Sequence, residues 1–261
     1  MTKSELYEFF FKELKNAGLE SARFEAKELS ENTDPLNAEE TLKRRLSGEP
    51  LQYILGEWEF FGITLKVGDG VLIPRADTET AAETGINLLK GIKNPTVFDL
   101  CAGSGCIGIT LSKFAGATVN FFEKSPKALD YLKYNVKSTN ANGEIFEADV
   151  LLPPNERFYG TADMIISNPP YIRSDVVPQL QREVQFEPKM ALDGGNDGLI
   201  FYRTIARKWK NVLKKGGFLV FEIGYDQETE VSDILKAEGY AQVTSLKDLG
   251  NNPRVVYGKN I

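Results

Sequence analysis

"FDLCAGSGCIGI", residues 98–109, decides how the chain folds. Apolar residues lead to Asp99, and the small residues Ala102, Gly103, Ser104 and Gly105 then open a helical pattern. A strand that ends in a glycine-rich turn lets backbone approach a ligand closely, and the helix start behind it offers free N–H groups. The spacing is neither the GxGxxG of a dinucleotide fold nor the GxxxxGKS of a phosphate loop, and no lysine follows to hold a phosphate.

Outward from this turn, strand-like and helix-like segments alternate. TVFDLC (96–101), TVNFFEK (118–124), GEIFEAD (143–149), ADMIISN (162–168) and GGFLVFEIG (216–224) read as strands, with helical patterns between most of them. That alternation predicts a largely parallel sheet covered on both faces. AQVTSLKD (241–248) and RVVYGKN (254–260) follow one another across LGNNPR, which predicts an antiparallel hairpin at one sheet edge.

Before the sheet, residues 4–55 read as helical. Leu6, Phe9, Phe10, Leu14 and Ala17 keep helical spacing up to Gly18, and Ser21–Asn32 forms a second segment. Asn37 followed by Glu40 reads as a capping box opening a third helix, Ala38–Leu46, and Pro50 suits the start of a short fourth one. EWEFFGITLKVGDGVLIP (57–74) changes to aromatic and β-branched residues and predicts a hairpin, followed by a helix over Asp77–Lys90. The expected organisation is a helical domain over 1–56, a β-hairpin linker over 57–75 and the main α/β domain over 76–261.

Composition narrows the chemistry. With 261 residues, 42% hydrophobic and 26% charged, the chain reads as an ordinary soluble protein. No apolar run of about 18 residues spans a membrane, and the charged N-terminus is not a signal peptide, so a cytoplasmic protein is expected. There is no histidine, which removes Ser-His-Asp and Cys-His catalysis and histidine-based zinc sites. Cys101 and Cys106 make neither a metal site nor an expected disulfide, and no metal is expected. The net charge of −6 is a poor match to a polyphosphate, so no direct nucleic-acid binding is expected. Lys43-Arg44-Arg45 and the basic residues from Arg203 to Lys215 read as solvated helix faces.

Glu123 ends the second main strand and Asp149 the third. Ligands of open α/β sheets bind outside the carboxyl ends of the strands. A glycine turn followed by two acids suggests a nucleoside without a bulky anion, and suits a cation such as a sulfonium. The fourth strand ends in IISNPPYI (165–172). Its NPPY resembles the motif of methyltransferases that use S-adenosylmethionine to methylate planar amino or amide nitrogens. Such a nitrogen is a weak nucleophile because its lone pair is delocalised. Asn168 Oδ1 and the Pro169 carbonyl can accept its two N–H bonds and aim the lone pair, while the prolines hold the backbone rigid and Tyr171 can stack on the planar group.

EPLQYILGEWEFFG (49–62), LIPRADTE (72–79), NPPYI (168–172), FEPKMALDGGNDGL (186–199) and EIGYDQ (222–227) together resemble the HemK/PrmC family. The resemblance implies a class I S-adenosylmethionine-dependent methyltransferase fold, Rossmann-like, with a seven-stranded sheet, an antiparallel edge hairpin and a small N-terminal helical domain. It implies methylation of the glutamine N5 in the Gly-Gly-Gln loop of class I peptide chain release factors, with S-adenosylhomocysteine as the other product, by a monomer. Carried over, Cys101, Ala102, Gly103, Ser104 and Gly105 form the donor loop, Glu123 holds the ribose, and Asp149 with Val150 lies near the adenine. Asn168, Pro169, Pro170 and Tyr171 hold the glutamine. Asn168, Pro169 and Tyr171 are the catalytic group, and Asn168 also borders the donor. The family often has Gly at position 101, Asp at 123 and an aromatic near 150. Arg75 and Glu79 either shape the site mouth or pair at helical spacing, and LDGGNDGL is expected to pack near the site. The helical domain is the expected supplier of contacts to a large partner. An adenine-N6 methyltransferase of DNA or RNA using the same NPPY and a non-catalytic nucleoside-binding module are the alternatives.

Overall fold

The structure, a computed structural model, describes residues 1–261. Four helices come first: α1 (Lys3–Asn16), α2 (Ala22–Asn32), α3 (Ala38–Leu46) and α4 (Leu51–Leu55). Leu6, Phe10 and Leu14 lie on one face of α1 and bury with Ala26, Leu29 and Leu42 in a core of their own. A capping box starts α1, where Thr2 Oγ1 accepts from the Glu5 N–H and the Glu5 carboxylate accepts from the Thr2 N–H. The box expected at Asn37 and Glu40 does not form, because Asn37 makes no side-chain cap. The helical path starts earlier, in a 3-10 turn over Pro35–Asn37 that Asp34 caps, with Pro35 at the position where a missing N–H costs nothing.

Arg45 also departs from expectation. Three consecutive basic residues cannot share one helix face at about 100° per residue, and Arg45 is the one turned inward, 5% exposed. It pairs with Glu25 of α2 at 2.5 Å and with Glu183, which lies beyond the NPPY segment.

The remaining elements are β1 (Glu57–Phe60), β2 (Ile63–Lys66), α5 (Glu79–Leu88), β3 (Thr96–Leu100), α6 (Cys106–Ala115), β4 (Thr118–Glu123), α7 (Pro126–Thr139), β5 (Gly143–Glu147), β6 (Ala162–Ser167), α8 (Ile200–Lys208), β7 (Leu213–Glu222), α9 (Glu228–Ala237), β8 (Tyr240–Lys247) and β9 (Pro253–Asn260). The first two strands form the expected antiparallel hairpin. The others make one seven-stranded sheet in the order β5-β4-β3-β6-β7-β9-β8. Five strands run parallel, and β9 pairs antiparallel with both β7 and β8.

Both sheet faces are buried, as the near-continuous apolar strands require. Phe98, Leu100, Ile165, Leu219 and Phe221 join one cluster with Tyr202 and Trp209. Val97, Met164, Ile166 and Val220 join the other, under α5 and α6. The chain steps outward from β3 to β4 and β5, then returns to β6 on the other side of β3. That reversal opens a crevice at the carboxyl ends of β3 and β6, where open α/β sheets bind ligands. No helix is long and apolar enough to cross a membrane.

Candidate active site

After β3 the chain turns sharply. Cys101 has φ 59°, Gly103 54° and Gly105 84°, and Gly105 leads into α6. A left-handed φ strains any residue with a Cβ, which is why glycine suits position 101 and why cysteine there carries a conformational cost. Burial pushes the Cys101 thiol well above its usual range. A Cβ on Gly105 would stand 2.5 Å from Leu132 Cδ1, whereas one on Gly103 would meet nothing within 4 Å. Gly105 is thus favoured by both packing and φ, and Gly103 by its left-handed φ alone.

The turn is braced from two sides. Glu123, at the end of β4, accepts from the Gly103 N–H at 2.9 Å, the Lys124 N–H at 2.8 Å and the Ser125 N–H at 2.7 Å. Asn135 of α7, wholly buried, donates to the carbonyls of Ser104 and Lys66 and accepts from the Lys66 N–H, tying the turn to the β1–β2 hairpin. Asp99, buried within β3, accepts from the Gly108 N–H of α6 at 2.9 Å. Burial pushes its carboxyl up to about 7, against the pull of that hydrogen bond. For Asp149, burial works against the charge, but the Lys124 ammonium at 2.8 Å and the Leu151 N–H outweigh it and hold the carboxyl below its usual range.

Ser167 ends β6 by donating to the Leu100 carbonyl across the crevice at 2.6 Å. Asn168 follows, half-buried, with Nδ2 donating to Thr78 Oγ1 at 3.3 Å and no hydrogen bond within the chain ending on its Oδ1. Pro169 and Pro170 are buried, and Tyr171 packs half-buried against the larger sheet cluster. The LDGGNDGL segment clamps this corner from behind. The Ile172 N–H donates to the Leu192 carbonyl and the Gly194 N–H to the Ile172 carbonyl. A Cβ on Gly194 would stand 2.7 Å from Tyr171 Cα, and one on Gly198, whose φ is +74°, would stand 2.4 Å from the Tyr171 carbonyl oxygen. The glycines of that loop are there to let two backbones touch. Gly198→Ala is therefore expected to cost about 1–3 kcal/mol of stability through overpacking, read as a shifted denaturation midpoint, and to lower turnover as NPPY is displaced.

A cavity of about 440 Å³ lies between these parts. Cys101, Ala102, Gly103, Glu123, Asp149, Val150, Asn168 and Pro170 line it, so eight of the residues singled out from sequence meet in one place. Ser104, Gly105, Pro169 and Tyr171 are not among its lining residues. Asp99, Leu72 and Met190 line it as well and were not singled out. Asp99 had a signal, an acid within an all-apolar strand; Leu72 and Met190 lie in LIPRADTE and FEPKMALDGGNDGL, two of the stretches that carry the family resemblance, but were not singled out within them. Arg75 and Glu79 do not pair: Arg75 binds Glu187, and Glu79 accepts from the Phe61 N–H at 2.9 Å. The 3-10 turn over Ala76–Thr78 separates them, so helical spacing does not hold between the two.

A protein-family model, the methyltransferase small domain, matches residues 76–196. The release factor glutamine methyltransferase of Clostridium acetobutylicum is 41% identical over 79% of this chain and 74% of its own length. The chain belongs to the release factor glutamine methyltransferase family. The release factor glutamine methyltransferase of Fusobacterium nucleatum is 37% identical, matching 90% of this chain and 66% of its own length, so the chain spans about two thirds of that relative. Among solved structures, a methyltransferase from Pyrococcus furiosus shares the fold, with a TM-score of 0.57 at 17% identity over 77% of this chain and 91% of that one. The seven-stranded sheet with its antiparallel edge hairpin and the N-terminal helices match the fold that the sequence predicts.

Proposed function

We propose that this chain transfers a methyl group from S-adenosylmethionine to the side-chain amide nitrogen (N5) of the glutamine in the Gly-Gly-Gln loop of class I peptide chain release factors. One observation carries the reading: Asn168 borders the same cavity as the glycine turn, anchored through Nδ2 with its Oδ1 free. Membership of the family sets the substrate class.

The residues present suit that donor. The cavity of about 440 Å³ falls in the range of small-molecule sites, about 300–1,000 Å³. Its acidic lining is Asp99, Glu123, Asp149 and Asp193, and its one basic residue, Lys124, is already paired with Asp149. Such a lining favours a cation and offers nothing to a phosphate. S-adenosylmethionine supplies, when bound, a methyl carbon made electrophilic by a cationic sulfur. Cys101, Ala102 and Gly103 would border it with backbone, and Asp149 and Val150 would flank the adenine. Glu123 would take the ribose. A carboxylate has about four acceptor positions, and three backbone N–H groups already point at this one, so one hydroxyl is accommodated as it stands. Glu123→Gln is expected to weaken S-adenosylmethionine binding about tenfold, measured by calorimetry.

On the acceptor side, Asn168 Oδ1 and the Pro169 carbonyl would each accept one N–H of the glutamine amide, leaving the nitrogen lone pair as its only free direction. Pro170 and the clamp behind it hold that corner, and Tyr171 would cover the amide plane. No base is needed before transfer, since the proton leaves after the nitrogen has become cationic; the chain has no histidine to supply one. Rate then comes from alignment, worth roughly 7–11 kcal/mol in the best cases. Residues 1–56 would supply the contacts that distinguish a release factor from free glutamine. Mass analysis of a release factor peptide after incubation with S-adenosylmethionine tests the reading. A methyl on the Gly-Gly-Gln glutamine is the expected result, and label in DNA or RNA with none in the factor would overturn it.

A further inference from the structure

The stretch that follows NPPY touches the helical domain before it returns to the cavity. A Cβ on Gly48 would stand 2.8 Å from Arg182 Cδ, and Glu183 pairs with Arg45. The return is made at Glu187, an acid 4% exposed that the transfer just described does not use. One of its carboxylate oxygens accepts from the Ile73 N–H at 3.0 Å, and the other pairs with Arg75. Ile73 is itself buried. Its N–H is the only backbone group of residues 72–74 with a hydrogen bond inside the chain, and Pro74 has no N–H to offer. An orphaned buried donor is costly. One side chain from 114 positions away therefore holds this segment.

Three hydrogen bonds join the segment to NPPY in a closed ring. Asn168 Nδ2 donates to Thr78 Oγ1, and the chain runs back from Thr78 to Ile73. Ile73 donates to Glu187, and the chain runs on through the 3-10 turn Lys189–Ala191 to Leu192. The Leu192 carbonyl accepts from the Ile172 N–H, and Ile172 leads back through NPPY to Asn168. Asn168, Pro170, Pro188 and Met190 within the ring, and Leu72 beside it, all line the cavity. The glycine turn, Glu123 and Asp149 line the cavity from outside the ring.

We propose that Glu187 is a positioning residue for methyl transfer, whose carboxylate closes this ring and so fixes the acceptor wall of the cavity relative to Asn168. The inference rests on the reading of Asn168 as the holder of the glutamine amide. Of the three links, the one at Thr78 is long, 3.3 Å, and the one at Leu192 is an ordinary backbone pair. The one at Glu187 is charge-assisted, a class roughly twice as strong as neutral hydrogen bonds. Without it the Leu72 segment and the Pro188–Met190 segment are free to move independently of each other. The donor side of the cavity keeps its own bracing through Glu123 and Asn135. The loss then falls on alignment, which is where the rate of a transfer without a general base comes from.

The test compares the full chain with Glu187→Ala and Glu187→Gln, using a release factor as substrate. It reads kcat, KM for the factor and S-adenosylmethionine affinity by calorimetry. Glu187→Ala removes both bonds, and its kcat should fall about tenfold or more. KM for the factor and donor affinity should stay within about twofold, a split that marks an interaction expressed in the transition state. Glu187→Gln keeps an amide oxygen for the Ile73 N–H and loses only the Arg75 pair. Arg75 is 39% exposed and can turn to water. Its kcat should therefore recover to within about threefold of wild type. Donor affinity and turnover falling together in Glu187→Ala would mark a purely structural acid and overturn the proposal. A glutamine variant no better than the alanine one would overturn it as well. Asn168→Ala in the same assay separates the two levels. Unchanged turnover there would sink the reading of the site itself. A large loss there, with full kcat in Glu187→Ala, would sink only the positioning role.

Discussion

Turnover of the Asn168→Ala enzyme is expected to fall on the order of 10²–10³-fold, with S-adenosylmethionine affinity changed by less than about threefold. Removing one preorganised hydrogen-bonding group from a reacting centre costs about that much, and here the group also sets the direction of the lone pair. The fold should be unaffected, because Asn168 is half-buried and its only intramolecular hydrogen bond is the 3.3 Å contact to Thr78. Ser167, the prolines and the Gly194–Gly198 clamp keep the corner in place without it. Single-turnover kinetics with saturating donor isolate the chemical step. Wild-type turnover in this variant would mean that the amide is aligned by something other than NPPY.

Arg45→Ala is expected to lose about 3–5 kcal/mol of stability, the cost of leaving a buried charge without its partner. Glu25 is as buried as Arg45, and besides Arg45 only the Ser21 hydroxyl, at 2.6 Å, reaches its carboxylate. Replacing both by apolar residues, Glu25→Leu with Arg45→Met, is expected to recover most of the loss, since a buried ion pair and a packed apolar pair are close in free energy. Denaturation midpoints of the two single variants and the double variant give the coupling. If Arg45→Ala stays within about 1 kcal/mol of the parent, the charge is not buried in solution as it is in the structure. Arg45 also reaches Glu183, so the same substitution loosens the helical bundle from the segment that follows NPPY.

The sheet, its strand order class and its hairpin edge were legible because each is written in local pattern. Apolar runs bounded by turn residues mark strands, and a helix between two strands forces them parallel. The glycine turn and NPPY, which meet at one cavity, could be singled out for the same reason: each is contiguous and stands out by its residue types. The capping box was misplaced because Asn37-x-x-Glu40 satisfies the pattern, while Asp34-Pro35 starts the helical path three residues earlier. Arg45 was misread because a run of like charges says nothing about which member faces inward.

What the sequence by itself determined is therefore the list of elements, the sheet type and the two segments that meet at the cavity. Tertiary structure alone decided that Thr78 stands behind Asn168 across 90 positions of chain. It alone decided that Asn135 braces the glycine turn from 31 positions away, and that Glu222 ends a strand with one oxygen unpaired. Periodicity states that a residue is buried. Only packing states against what, because the partner of a buried polar group is chosen by the crossing of distant elements and leaves no mark in its own neighbourhood.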